Sequence, residues 1–281
     1  MLGALVIVFR EVIEAGLIIG IVLAVTRGID GRGVWVAAGV LVGTLGAGLI
    51  ALFAQTIAEA FAGSGQELFN ASVLGIAVAM LMWHNFWMAS HGQEMAASMA
   101  AVGKEVTAGR RPMAALAMVV GLATLREGSE VVLFLYGIVA SGVSAWSLLL
   151  GGVLGLAAGA AFTALTYYGL LAIPARHIFA VTTVLITLLA AGMAAQAAQF
   201  LDAAGVISVL GQRLWDSSGW LSQDSIVGRL LHTLIGYTDR PSELQLVAYV
   251  ATLAIMTLLT WMSGSRGQRT AGRGQKVHRL T

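Results

Sequence analysis

The 281-residue sequence is 58% hydrophobic and 11% charged, with a formal net charge of +2 and no cysteine. Soluble domains average roughly 25% charged residues, so the composition excludes a soluble globular fold and predicts an all-α integral membrane protein. Without cysteine, disulfides and thiolate metal ligands are excluded, which leaves oxygen, imidazole and thioether donors for any metal site. We expect the lipid bilayer as a partner and no nucleic acid.

Seven apolar runs reach the length of about 20 residues that a helix needs to cross a bilayer. They predict transmembrane helices at 2–26, 34–58, 69–90, 113–139, 146–171, 178–200 and 245–263. The first run lacks a basic leading segment and carries charged residues in its interior, so it predicts a retained span rather than a cleaved signal peptide. Residues 1–263 are therefore interpreted as one transmembrane domain.

Two segments outside the spans have patterns of their own. In the loop at 201–244, apolar residues at helical spacing near 210–215 and 226–234 predict one or two short amphipathic helices, the second capped by Asp224 or Ser225. Such helices lie at a membrane interface, where Trp215 and Trp220 are favourable. The tail at 264–281 is basic and glycine-rich and predicts a disordered cytoplasmic segment.

The orientation follows from the positions of lysine and arginine. Arg27 and Arg32 lie between the first two predicted spans, and Lys104, Arg110 and Arg111 lie between the third and fourth. The tail is also basic, whereas the short segments on the other side carry no lysine or arginine. Because basic loops stay in the cytoplasm, we predict the N-terminus outside and the C-terminus in the cytoplasm.

Two copies of the pattern Arg-Glu-x-x-Glu lie inside apolar runs, at 10–14 and 126–130. A charged side chain in hydrocarbon costs a few kcal/mol, so such residues are rare in spans and mark ion or substrate paths. Spans one and four would run in opposite directions. The two copies therefore predict an inverted repeat, about 1–90 and about 113–200, with the helix at 245–263 added.

Small residues in the following spans occur at nearly matched offsets in the two predicted repeats. Such rows let helix backbones approach closely, and generic packing in a glycine-rich membrane protein explains them equally well. The rows are Gly39, Gly43 and Ala47 in the first repeat and Gly151, Gly155 and Gly159 in the second.

Within each motif the two glutamates are three residues apart and project from one helix face. Facing each other, the helices would present Glu11, Glu14, Glu127 and Glu130 to one point, with Arg10 and Arg126 as partial counter-ions. Four glutamates against two arginines leave a formal charge of −2, which suits a multivalent cation with hard oxygen ligands. The alternative is a neutralised ion-pair network that only stabilises helix packing.

The chain resembles the high-affinity iron permease family of fungal oxidase-coupled uptake and bacterial Efe-type and Ftr-type systems. The resemblance covers roughly 1–263 and rests on both motifs and on three further segments. These are Gln66-Glu67-Leu68-Phe69, Trp83 with Phe86-Trp87-Met88, and Gly236-Tyr237 with Pro241-Ser242.

The resemblance implies iron-binding roles for Glu11, Glu14, Glu127 and Glu130, supported by both arginines. Two positions depart from the family pattern, because Val12 stands where glycine is common and Ser129 where leucine is frequent. A valine makes close helix approach uncertain, and a serine would add an oxygen near the path.

The resemblance further implies a multi-pass permease of the bacterial inner membrane with iron as substrate and no permanently bound cofactor. We expect Fe³⁺ supplied by a periplasmic oxidase, peroxidase or iron-binding protein. A permease or exchanger for another cation, such as Mn²⁺, Pb²⁺ or Na⁺, is the alternative. Neither motif contains the Glu-x-x-His pair typical of di-iron enzymes, so we predict a transporter and not an enzyme.

Several other residues are weaker candidates. Glu59, Glu67 and Asp216 lie on the predicted outer side, where acids raise the local cation concentration, although each is also explained as a solvated or capping acid. His84 is the only ionisable residue inside the third predicted span, and hydrogen bonding across helices is favoured over a role in the path. Met95 and Met99 are interpreted as packing residues.

Overall fold

The computed structural model describes residues 1–60, 65–169, 175–207 and 210–278, and these residues contain helices and no extended strand. The all-α class predicted from composition is therefore confirmed. The helices are α1 (Leu2–Val25), α2 (Arg32–Ala60), α3 (Gln66–Thr107), α4 (Ala114–Ala140), α5 (Ala145–Tyr167), α6 (Ala175–Ala203), α7 (Ile226–Ile235) and α8 (Glu243–His278).

Five of these helices contain stretches that are long and apolar enough to cross a membrane. The stretches are Arg32–Ala54, Gln66–Met88, Ala145–Tyr167, Phe179–Ala203 and Glu243–Met262. The helices α1 and α4 have 24 and 27 residues, and each contains one arginine and two glutamates that lower its apolar character. The chain is thus a multi-pass helical membrane protein.

Two helices extend past their predicted ends. The helix α3 continues from the predicted end at 90 to Thr107, and α8 continues from 263 to His278, so the disorder predicted for 264–281 is not what the structure has for 264–278. Hydropathy measures the membrane-embedded length and not the helix length. Neither extension contains a proline, so each added residue still gains a backbone hydrogen bond. Residues 279–281 lie outside the described residues.

Close helix pairs connect the two predicted repeats. The helix α1 packs on α5, and α2 packs on α4, so each motif helix lies against the small-residue row of the other repeat. A Cβ atom at Gly155 would lie 2.6 Å from the Leu5 carbonyl oxygen, and one at Gly39 would lie 2.6 Å from the Ala117 carbonyl oxygen. Glycine is therefore required at both positions by backbone approach.

The unusual Val12 is accommodated by the residue that faces it. A Cβ atom at Gly159 would lie 2.8 Å from Val12 Cγ1, whereas a Cβ atom at Gly128 would lie 2.7 Å from Ala47 Cβ. In each motif contact, one partner is glycine and the other carries a side chain. The close approach that the sequence left uncertain at Val12 is therefore provided by Gly159.

We expect Gly159→Ala to destabilise the protein by about 1–3 kcal/mol, because the added methyl group meets Val12 and the Phe9 carbonyl. The thermal unfolding temperature of purified protein in detergent measures the effect, and Val12→Gly is expected to restore part of the loss. Gly152→Ala on the same helix is the control, since a Cβ atom there meets nothing within 4 Å. Equal unfolding temperatures for the two alanine variants would contradict this packing account.

Two groups of buried apolar side chains lie on either side of the motifs along α1 and α4. In α1, Ile7 belongs to the first apolar cluster and Val22 to the second, and in α4 Phe134 belongs to the first and Val120 to the second. The first apolar cluster has buried members from α1, α3, α4, α6 and α8, and the second from α1, α2, α3 and α4. The charged motifs are therefore enclosed between two apolar layers.

Of the one or two amphipathic helices predicted for this loop, one is present. It is α7, and Ser225 caps it by accepting a hydrogen bond from Gly228 N at 2.9 Å. The prediction of a helix near 210–215 is wrong. There the backbone bonds to the chain that leads into α8, with Leu214 N donating to the Pro241 carbonyl at 3.0 Å, and this pairing replaces helical bonds.

The end of α7 is fixed against α6 by a histidine and two glycines. His232 Nδ1 bonds the Tyr237 carbonyl and His232 Nε2 bonds Gln196 Nε2, both at 2.7 Å. Gly236 closes α7 with a φ of 70°, and a Cβ atom at Gly192 would lie 2.6 Å from Gly236 Cα. The Gly236-Tyr237 pair therefore holds this loop to the bundle.

Candidate metal centre

The first motif places its three charged side chains on the buried face of α1. Arg10, Glu11 and Glu14 are each at most 4% exposed. Arg10 Nε lies 3.0 Å from Glu14 Oε1, and Arg10 Nη1 lies 3.5 Å from Glu11 Oε1. The arginine therefore pairs more closely with Glu14, and Glu11 shares the same counter-ion at a longer distance.

The second motif is arranged differently on α4. Glu127 and Glu130 are buried, but the Arg126 side chain is 32% exposed. Arg126 Nε lies 3.3 Å from Glu130 Oε1 and 3.9 Å from Glu127 Oε1. As in the first motif, the glutamate four residues after the arginine is the better compensated carboxylate, and Glu127 has the longer contact.

His84 of α3 lies between the two motifs. Its Nε2 atom is 3.4 Å from Glu14 Oε2 and 4.0 Å from Glu11 Oε2, and its Nδ1 atom contacts Glu130 Oε2. Contact with both helices agrees with the role across helices that the sequence favoured, and it also brings a nitrogen donor to the acids. We call Glu11, Glu14, His84, Glu127 and Glu130 the acidic cluster.

The acidic cluster contains a set of atoms that suits a metal ion. Glu11, His84, Glu127 and Glu130 each offer one ligand atom, and these atoms lie within 4.8 Å of one another. Among the described residues, neither carboxylate oxygen of Glu11 or of Glu127 has a hydrogen-bond partner. Buried carboxylate oxygens are normally satisfied, so these four orphaned oxygens fit a site that a cation completes.

A family model for the iron permease FTR1 family matches residues 1–264. The chain belongs to this family. The family resemblance that the two motifs indicated is therefore confirmed. Iron transport across a membrane follows at the level of the family, and a permease agrees with the prediction of a transporter rather than an enzyme.

Curated relatives cover nearly the whole chain. Proteins named "Ferrous iron permease EfeU" from Escherichia coli O6:H1 (strain CFT073), Escherichia coli O157:H7 and Shigella sonnei (strain Ss046) are each 32% identical over 272 residues. Each alignment spans 95% of this chain and 97% of the relative. No solved structure is a significant match to the chain.

Three other residues that the sequence singled out are not part of the acidic cluster. Ser129 Oγ donates to the Arg126 carbonyl at 2.7 Å, so its hydroxyl is used within α4. Glu67 is exposed in the first turn of α3, and its role as an outer acid stays a prediction. The side chain of Glu59 lies outside the described residues.

Asp216 has partners of its own in the loop after α6. Ser218 donates to Asp216 Oδ1 from its backbone nitrogen at 3.0 Å, and Arg240 Nε lies 3.0 Å from Asp216 Oδ2. Hydrogen bonds from Ser218 lower the pKa of Asp216 to about 2. These contacts favour the turn-stabilising interpretation of Asp216 over capture of a cation.

We therefore expect Asp216→Asn to leave the KM for iron uptake unchanged. Any stabilisation that ionised Asp216 gives the loop is present above the usual carboxyl pKa and is lost as pH falls toward 2, so it stays constant across neutral pH. Initial uptake rates over a range of iron concentrations at pH 7 measure the KM. A KM that rises severalfold in Asp216→Asn would restore Asp216 as a capture residue.

Sequence reasoning missed two features near the acidic cluster. Asn85 is 5% exposed, and neither of its amide atoms has a hydrogen-bond partner among the described residues. Met95, interpreted from the sequence as a packing residue, accepts a hydrogen bond from Arg126 Nη1 at 3.2 Å. The sequence could have indicated Asn85, because it is a polar residue next to His84 in an apolar run. Nothing in the sequence indicates that Met95 contacts Arg126.

Proposed function

We propose that the chain carries iron through the membrane by way of the acidic cluster, with Glu11, Glu127, Glu130 and His84 as ligands and Glu14 held by Arg10. The observation that supports this most directly is the set of four orphaned oxygens on Glu11 and Glu127, two residues from different helices. A network that served only packing would pair each buried carboxylate closely with a base, whereas Arg126 Nε lies 3.9 Å from Glu127 Oε1.

The proposed topology has seven spans with the N-terminus outside. The helices α1 and α4 are as long as the five apolar spans. Their charged residues would be unfavourable in contact with lipid, but those faces lie mostly inside the bundle. The distribution of lysine and arginine gives the direction. The predicted inverted repeat is supported by the packing, since α1 with α5 and α2 with α4 are the pairs that a two-fold axis would exchange.

Transport requires that the acidic cluster open to one side at a time. In the proposed orientation, the first apolar cluster separates it from the outside and the second separates it from the cytoplasm. We propose that a shift of one repeat against the other parts these layers alternately. The glycines at the contacts between the repeats carry no side chain that would obstruct such a movement.

The oxidation state of the iron is a finer part of the proposal. A formal charge of −2 from the two motifs is neutralised by a divalent ion, and imidazole is a ligand that suits iron. The relatives named above are ferrous iron permeases, and these three points favour Fe²⁺ at the acidic cluster. The expectation of Fe³⁺ supplied by an oxidising or iron-binding periplasmic partner of a bacterial inner-membrane system is the alternative to Fe²⁺ at the acidic cluster, and it stays a prediction.

Purified protein in liposomes tests the function directly. We expect uptake of radioactive iron kept ferrous with ascorbate, and weaker competition by Mn²⁺ and Pb²⁺ than by unlabelled Fe²⁺. Empty liposomes and the double variant Glu11→Gln/Glu127→Gln are the controls. Uptake of Mn²⁺ or Pb²⁺ in preference to iron would contradict the proposal and favour the alternative cation permease.

A further inference from the structure

The two motif arginines have different surroundings although their motifs match. The Arg10 side chain is 4% exposed and points among the carboxylates, whereas the Arg126 side chain is 32% exposed. Both use Nε toward the glutamate four residues later, at 3.0 Å and 3.3 Å. The difference therefore lies in the terminal guanidinium nitrogens.

The terminal nitrogens of Arg126 are held by side chains of α3. Arg126 Nη1 donates to Met95 Sδ at 3.2 Å, and Nη2 lies 4.0 Å from Met88 Sδ. The Arg126 Cζ atom lies 4.3 Å from the centroid of the Trp87 ring. An aromatic face attracts a guanidinium, and the sulfur contacts fix its direction. Together these residues direct the two terminal nitrogens toward α3, while Nε stays 3.9 Å from Glu127 Oε1.

The half of α3 that holds Arg126 packs loosely. Between the buried residues Asn85 and Gly103, none of the described side chains of α3 is buried. His91, exposed, stacks on Trp87 at 5.4 Å and continues the same helix face toward Met95. This half leads to Lys104 and the basic segment before α4, which is the proposed cytoplasmic side.

An exposed guanidinium in this part of the bundle has a physical consequence. A guanidinium facing acyl chains costs several kcal/mol, so the exposed third of the Arg126 side chain must meet water or lipid headgroups. Because Arg126 lies near the middle of α4, beyond the reach of lipid headgroups, its guanidinium requires water that enters along this half of α3. No comparable exposure exists at Arg10 on the opposite motif.

We propose that Trp87, Met88, Met95 and Arg126 form an inner portal, the route by which iron leaves Glu127 and Glu130 for the cytoplasm. This inference rests on the proposed function. Trp87 and the two sulfurs keep the terminal guanidinium nitrogens away from the oxygens of Glu127 while iron occupies them. When iron leaves through the inner portal, Nη1 turns to Glu127 and replaces the lost positive charge, in the way that Arg10 Nη1 lies 3.5 Å from the matching Glu11 in the other motif.

Labelling of single cysteines tests the route, and it does not depend on iron transport. Because the chain has no cysteine, Met88→Cys gives one thiol in the inner portal, within the membrane-spanning stretch of α3, and Leu122→Cys gives one on the exposed apolar face of α4. In inside-out vesicles, we expect a charged, membrane-impermeant thiol reagent to label Met88→Cys at least tenfold faster than Leu122→Cys. Equal rates, or labelling of Met88→Cys only from the outside, would overturn the portal.

Iron binding to purified protein in nanodiscs tests the role of Arg126. We expect Trp87→Leu to weaken Fe²⁺ binding about tenfold, because a released guanidinium competes for Glu127, and we expect Arg126→Gln in that background to restore the affinity. Trp83→Leu, one turn away on α3 and 67% exposed, is the matched control. An unchanged Kd in Trp87→Leu, or no restoration by Arg126→Gln, would overturn the inference. If the unmodified protein itself bound no Fe²⁺, the proposed function would be overturned instead.

Discussion

Iron uptake is expected to fall by roughly a hundredfold when Glu127 is replaced by glutamine, since even residues that only support a metal ligand contribute 10–100-fold. Glu127 is 2% exposed, and neither of its oxygens has a hydrogen-bond partner among the described residues. Glutamine keeps the shape but removes one anionic ligand, so the charge from the two motifs falls in magnitude from −2 to −1. The initial rate of radioactive iron uptake into proteoliposomes measures the effect.

The matched control is Glu105→Gln, which makes the same chemical change away from the acidic cluster. Glu105 lies near the end of α3, is 36% exposed and pairs with Arg111 at 2.5 Å. Both variants should purify as folded protein in similar amounts, because glutamine is isosteric with glutamate. If uptake by Glu127→Gln stayed within a factor of two of that by Glu105→Gln, the orphaned carboxylate would have no role in transport.

Replacement of His84 by leucine is expected to lower iron uptake by at least about tenfold and to lower the yield of folded protein as well. The imidazole faces carboxylates of both motifs, at 3.4 Å from Glu14 and in contact with Glu130. Leucine removes a nitrogen ligand and leaves those buried acids facing an apolar group, which carries the cost of unsatisfied buried charge. Uptake is measured per folded transporter, so the two effects separate.

His84→Gln distinguishes a ligand from a structural bridge. Glutamine offers an amide that hydrogen-bonds to Glu14 and Glu130, so the yield of folded protein should recover while uptake stays low. Mn²⁺ added as a paramagnetic probe should show coupling to a nitrogen nucleus in the unmodified protein and lose it in His84→Gln. Full uptake by His84→Gln would show that His84 only joins the helices and does not bind the metal.

The four glutamates of the site were predictable because charge inside apolar runs is rare and has few explanations. Glu11, Glu127 and Glu130 lie together and Glu14 reaches the same histidine, since two matched helices in one bundle place matched faces toward a common centre, and their role as iron ligands stays a prediction. His84 was visible as the one ionisable residue of its span, but its contact with both motifs was not. Its position depends on which face of α3 packs against the motif helices, and an apolar sequence does not show which face that is.

The differences between the motifs were the least predictable part. Arg10 and Arg126 have the same local sequence pattern, and their unequal exposure arises from Trp87, Met88 and Met95, which are more than 30 residues away along the chain. The absence of a helix near 210–215 has a similar cause. Helical spacing of apolar residues was present there, but backbone bonds to the segment before α8 were more favourable than an isolated short helix.

Uptake of radioactive iron by cells that lack other iron importers tests the central claim most directly, when the unmodified protein is compared with Glu11→Gln and Glu130→Gln at equal membrane abundance. These two proposed ligands lie on different helices, and His84 approaches both of them. We expect uptake to be lost in both variants while folding is retained, which would place both motifs on one iron path. Normal uptake in either variant would contradict a shared site and reduce that motif to an ion pair within the bundle.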